Sequence, residues 1–101
     1  MNKETLKIIK EEAQALATER AEEQTENWYS GDDVSFTEPV LVRFSPEEQR
    51  KIAEKAADGL DVDTNGTAFV EMSETVENQD EVLAFAAKVG QEIADEIERQ
   101  A

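Results

Sequence analysis

Two residue types are missing from this chain altogether: it has no cysteine and no histidine. Without cysteine there is no disulfide, no thiolate nucleophile and no zinc–thiolate site. Without histidine, the commonest general base and the commonest transition-metal ligand are gone as well. Basic residues are scarce, with 10 Lys and Arg against 25 Asp and Glu, for a formal net charge of −15. Such a surface repels nucleic acid and anionic membrane and attracts basic protein surfaces, although the same charge also suits a host adapted to salt. No stretch approaches the ~20 apolar residues of a membrane helix. The start of the chain, charged at Lys3, Glu4, Lys7 and Lys10, lacks the apolar run of a secretory leader. The expectation is a cytoplasmic protein with no membrane contact.

What remains is a chain of 101 residues, 39% of them hydrophobic and 6% aromatic. The length fits a single acidic domain over residues 1–101. Its apolar content suffices for a two-layer fold, with little left over for a deep ligand cavity.

Along the chain, residues 5–26 read as an amphipathic helix, with Leu6, Ile9, Ala13, Leu16, Ala17 and Arg20 at helical spacing. Ser30, Gly31, Asp32 and Asp33 signal a loop. Residues 35–44 read as a strand: Phe36, Val40, Val42 and Phe44 share a face, and Leu41 and Arg43 point the other way. Pro39 cannot donate to a ladder, which places this strand at an edge. Ser45, Pro46, Glu47 and Glu48 are a strong helix start. That helix carries Ile52, Ala53, Ala56, Ala57 and Leu60 as its apolar stripe and ends around Asp58 and Gly59. An Asn65-Gly66 turn between residues 60–64 and 67–72 predicts a hairpin that pairs Val62 with Phe69. Residues 79–99 form the last helix, with a stripe of Val82, Phe85, Ala86, Val89, Ile93 and Ile97. Gly90 interrupts it at a cost near 1 kcal/mol relative to alanine, and offers close approach to another backbone. The expected class is α+β, in the order α-β-α-ββ-α, with helices packed on a small, mostly antiparallel sheet.

Two segments resemble known motifs. Asp61-Val62-Asp63-Thr64-Asn65-Gly66-Thr67 is similar to the first half of the calcium loop of the EF-hand family. That resemblance implies Asp61, Asp63 and Asn65 as oxygen ligands. Position twelve, however, is Met72, and Glu71 falls one residue early, so the hairpin is the reading carried forward. Residues 40–48 resemble the strand-to-helix junction of ribbon-helix-helix DNA-binding proteins. This implies a dimer with extra helices, whose sheet is made by residues 40–44 of two chains and whose outward residues are Leu41 and Arg43. Leucine is a poor reader of bases, and the charge has the wrong sign for DNA.

The acids are placed against helix stability. On the first helix Lys3, Lys7 and Lys10 stand at the start and Glu19, Glu22, Glu23 and Glu26 at the end, the reverse of what the helix dipole favours. Glu19 with Glu23, and Glu22 with Glu26, are like-charge pairs four apart, each costing ~0.2–0.5 kcal/mol. Glu92 and Glu96 repeat the pattern, partly relieved by Arg99. Carboxylates four apart rise about 6 Å along the axis, comparable to successive phosphates on one strand. In size and charge the chain resembles the small acidic inhibitors of phages and mobile elements that block restriction, CRISPR or repair nucleases by mimicking nucleic acid.

The expectation is therefore a non-enzymatic acidic inhibitor of a basic protein surface, as monomer or homodimer, without direct nucleic-acid binding. The candidate contacts are Glu19, Glu22, Glu23, Glu26, Asp32 and Asp33, with Trp28 and Tyr29 between the clusters. Trp28 also suits a core position beneath the helix end. The alternatives are an intracellular adaptor, antitoxin or immunity-type protein, and a ribbon-helix-helix-like regulator. No catalytic residue and no cofactor is expected. Glu11-Glu12, Glu22-Glu23 and Glu47-Glu48 are sequence neighbours that do not converge on a helix, and there is no Gly-rich phosphate loop.

Overall fold

The structure, a computed structural model, describes residues 3–25, 35–57 and 68–100. The elements run α1 (Lys3–Gln24), β1 (Ser35–Phe44), α2 (Pro46–Ala56), β2 (Met72–Asn78) and α3 (Gln79–Gln100). This is an α+β fold in the order α-β-α-β-α.

The second strand is where the outcome departs from the expectation. Residues 68–71 carry no regular structure, and the strand begins at Met72, where the expected one was to end. It pairs antiparallel with β1 rather than within a local hairpin, in the register Val40 to Val76, Leu41 to Thr75, Val42 to Glu74, Arg43 to Ser73 and Phe44 to Met72. The expected first hairpin strand, residues 60–64, and the turn at Asn65 and Gly66 lie outside the described residues. Phe69, assigned to the second hairpin strand, is nonetheless buried against the core. The ladder also differs from the ribbon-helix-helix arrangement, in which residues 40–44 of two chains would pair with each other. Residues 40–44 take their strand partner from the same chain, and the other side of Leu41 is occupied as well, as shown below.

β1 forms as its alternation demands. Val40, Val42 and Phe44 are buried, while Leu41 and Arg43 are exposed on the opposite face. The register breaks between Ser35 and Val40, the stretch that holds Pro39, which has no N–H to give a ladder. Phe44 meets Phe85 of α3 edge to face, with ring centroids 5.6 Å apart and planes at 66°.

α2 begins with a complete capping box. Ser45 Oγ accepts from the Glu48 N–H at 3.1 Å, and Glu48 Oε1 accepts from the Ser45 N–H at 3.1 Å. Pro46 occupies the first turn, where its missing N–H costs nothing. At the start of α3, Asn78 Oδ1 accepts from the Glu81 N–H at 3.0 Å, so the helix is capped directly at the end of β2.

The core lies between the sheet and the helices. α3 contributes Val82, Phe85, Ala86, Val89, Ile93 and Ile97, the stripe its periodicity predicts, together with Ala94. α1 buries a narrower row, Ile9, Ala13, Ala17 and Ala21, with Leu6 and Leu16 half-buried beside it. The small alanines let the helix axes come close. Gly90 faces this contact: a Cβ there would stand 3.6 Å from Ile9 Cγ2 and 3.8 Å from Lys10 Cα, an ordinary packing distance. The expected backbone approach is present, and it leaves room for an alanine. α1 and α2 run antiparallel, tied by Lys55 to Glu12 at 2.7 Å at one end and by Arg20 to Glu48 at the other. No helix among the described residues is long and apolar enough to cross a membrane.

Candidate functional site

Three of the eight expected contacts lie within the described residues. Glu19, Glu22 and Glu23 sit in the C-terminal third of α1, and all three are exposed. Glu26, Trp28, Tyr29, Asp32 and Asp33 lie outside the described residues. So do Asp61, Asp63 and Asn65, the oxygen set that the EF-hand resemblance implies. Among the described residues no group of three or more acids is arranged to hold a metal ion.

Helical geometry sorts the end of α1 into distinct flanks. Taking buried Ala21 as the inward direction, Glu19 and Glu23 project from the opposite side of the helix, while Arg20 and Gln24 share one flank and Glu22 takes the other. The Arg20 flank is the anchoring one. Arg20 hydrogen-bonds the Glu48 carboxylate on α2 and also holds Glu23 at 3.6 Å. The hydrogen bond with Glu48 raises the Arg20 pKa further. Burial pushes the Glu48 carboxyl up, but hydrogen bonds from Ser45 and Arg20 outweigh it and hold the group below its ordinary value. Glu48 thus closes the α2 capping box and receives the α1 cation at the same time.

Neither Glu19 nor Glu22 has a cation within salt-bridge distance among the described residues, and the last turn of α1 contains no basic residue. On α3 the arrangement differs. Arg99 takes both Glu96, at 2.6 Å, and Glu92, at 3.6 Å, so the like-charge pair there is bridged rather than left open. The like-charge pair at the end of α3 is therefore neutralised, whereas Glu19 and Glu22 near the end of α1 are not.

Two glutamines, neither expected, prove structurally central. The Gln24 side chain meets the backbone of Leu41 in both senses: its Oε1 accepts from the Leu41 N–H at 3.1 Å, and its Nε2 donates to the Leu41 carbonyl. The amide thereby imitates a neighbouring strand on the outer edge of β1. Gln49 is fully buried, and its Nε2 donates to Val70 O at 2.6 Å and Phe44 O at 3.4 Å, joining the end of β1 to the segment that leads into β2. Its place was visible in the spacing, since residues 49, 52, 53 and 56 form one helical stripe. Gln24 left no such signal, because an exposed glutamine at a helix end resembles any solvated one.

A shallow groove of about 280 Å³ runs between α1 and α2, with Leu16 and Ile52 as its floor and Glu12, Glu19, Glu48 and Lys51 on its rim. Glu12 is paired with Lys55 and Glu48 with Arg20, so Glu19 is the rim carboxylate without a cation. The groove is lined by three carboxylates, one ammonium and aliphatic side chains. Compared with known proteins, the chain matches no family model, no curated protein and no solved structure at a significant level.

Proposed function

We propose that this chain is a non-enzymatic acidic protein that binds a basic protein surface, with the outward side of α1 near Glu19, Glu22 and Glu23 as the principal contact. The reading is carried by one observation. Arg20, the base nearest this end, is committed to Glu48 on α2 with Glu23 beside it, and Glu19 and Glu22 are left exposed without a cation within salt-bridge distance among the described residues. Arg20 and Gln24 pin the helix end to α2 and β1, so the acids are presented on a rigid support, which lowers the ordering cost of association. With a net charge of −15 behind it, the face suits a groove built for nucleic acid. The specific form of the proposal is a phage or mobile-element inhibitor, of anti-CRISPR or anti-restriction type, that occupies such a groove by mimicry.

The test is capture from nuclease-treated extract at low salt, followed by a salt gradient and competition with DNA or RNA. A nucleic-acid-processing protein released by nucleic acid, and bound more weakly by a Glu19→Lys, Glu22→Lys double variant, is the expected result. A partner indifferent to salt and to nucleic acid would sink mimicry in favour of an adaptor or immunity-type protein.

A further inference from the structure

The two outer edges of the sheet are treated differently. The Leu41 N–H and carbonyl both point away from β2, because both are bonded to Gln24. In an antiparallel pair, a residue whose backbone groups point away from its partner strand faces a residue whose groups also point away. Leu41 pairs with Thr75 and Arg43 with Ser73, so the N–H and carbonyl of Thr75 and of Ser73 are directed to the outer side of β2. Glu77 continues this phase, and its N–H is taken by the Glu81 carboxylate at 2.7 Å. The outward backbone groups of Ser73 and Thr75 have no partner among the described residues. Burial agrees: Ser73, Glu74 and Thr75 are exposed in succession, which a covered strand does not show.

Exposed strand edges are normally blunted by proline, lysine, bulges or covering groups. β1 has three such devices: Pro39, the register break and the Gln24 amide. The stretch of β2 at Ser73, Glu74 and Thr75 has none of them. We propose that this edge is a strand-addition site for an extended, lysine- or arginine-bearing segment of a protein partner. The inference rests on the reading that the partner is basic, and it names a second surface and the conformation of what docks there.

Charge selects the occupant. Glu74 is exposed, with no cation within salt-bridge distance among the described residues. On an added strand, the residue directly opposite shares its face with a Cβ about 4.5–5.5 Å away, within reach for a lysine or arginine. A second copy is disfavoured at the same position. Pairing Ser73 with Thr75 of the other copy sets Glu74 against Glu74, between two chains that each carry −15. Ser73 and Thr75 lie about 6.8 Å apart along the strand and offer two N–H and two carbonyl groups, the spacing an extended chain meets with alternate residues.

The experiment titrates the labelled full chain with a short synthetic peptide alternating lysine with threonine, followed by amide NMR and hydrogen exchange. Shifts centred on residues 73–75, with slowed exchange at Ser73 and Thr75, are expected. Thr75→Pro removes an outward N–H that the β1 ladder does not use, and is expected to weaken binding about tenfold. Glu74→Lys is expected to weaken it comparably, and serves as the test if the proline variant fails to fold. Binding confined to the α1 acids and unchanged in both variants would overturn the edge site while leaving the basic-partner reading intact. Failure to bind the peptide or any basic partner overturns both. Exchange protection at Ser73 and Thr75 that rises with protein concentration, without peptide, would assign the edge to a second copy and overturn the proposed occupant.

Discussion

The two strands of this sheet are bonded to each other along one ladder and otherwise have little in common. β1 turns Val40, Val42 and Phe44 into the core and has its outer side closed at Leu41 by Gln24. β2 buries Val76, half-buries Met72, and leaves Ser73, Glu74 and Thr75 open to water. One strand is held by packing, whereas the other is held mainly by its ladder and by the cap that Asn78 supplies to α3. The difference explains why one strand was visible in advance and the other was not. It also separates the part of the sheet packed into the core from the part left open to water.

The contrast can be broken most severely at Phe44. Phe44→Ala is expected to cost ~3–5 kcal/mol in denaturant unfolding, because the ring is fully buried and packed on Phe85. Its register partner Met72 is half-buried, and Met72→Ala is expected to cost less than half as much. Equal losses would show that both strands are packed alike.

Gln49→Ala is expected to cost about 2–3 kcal/mol, because it leaves the Phe44 and Val70 carbonyls without the donor that joins the end of β1 to the approach to β2. A change within a few tenths of a kcal/mol would show that the two strands do not need this clamp.

The anchor beside β1 has a pH signature. Glu48 has a folded pKa below its ordinary value. Its contribution is therefore fully present above the unfolded carboxylate pKa, near ~4.3, and is lost as pH falls through the lower folded value. The stability difference between the parent chain and Glu48→Gln, which keeps the capping-box geometry, is expected to be about 1 kcal/mol near neutral pH. It should shrink toward zero in acid, as measured by urea unfolding across the range. Comparing the two chains removes the background effect of protonating the other carboxylates. A difference independent of pH would sever Glu48 from Arg20.

The smallest effect sharpens the contrast between the edges. Gln24→Ala is expected to cost ~0.5–1 kcal/mol, since water replaces the amide at an exposed site, and to speed exchange of the Leu41 N–H. The β1 edge should then exchange like that of β2 at Thr75. If Leu41 stays protected, something other than Gln24 closes that edge.

Much of this architecture is legible without coordinates. α3 appears within a residue of its expected bounds, because a full apolar stripe of Val82, Phe85, Val89, Ile93 and Ile97 admits one period. β1 and the start of α2 are equally plain, since alternation and a capping box are local signals. β2 was missed because an edge strand wet on nearly every side has no apolar period to display; of residues 73–77 only Val76 is apolar. The Asn65-Gly66 turn drew attention to residues 67–72 instead. For the candidate face, the excess of acid at the end of α1 was visible in the spacing of its glutamates. That Arg20 is committed to Glu48, and Gln24 to Leu41, was not, because each pairs residues 28 or 17 positions apart.

The amino-acid sequence by itself determined the helices, the first strand, the sign of the surface and the absence of thiol and imidazole chemistry. Each of these follows from composition or from periods that a few neighbouring residues complete. Only the tertiary structure decided which segment pairs with β1, which charges are neutralised across helices and which sheet edge is left open. These depend on contacts between distant residues, and a free backbone edge has no side-chain signature.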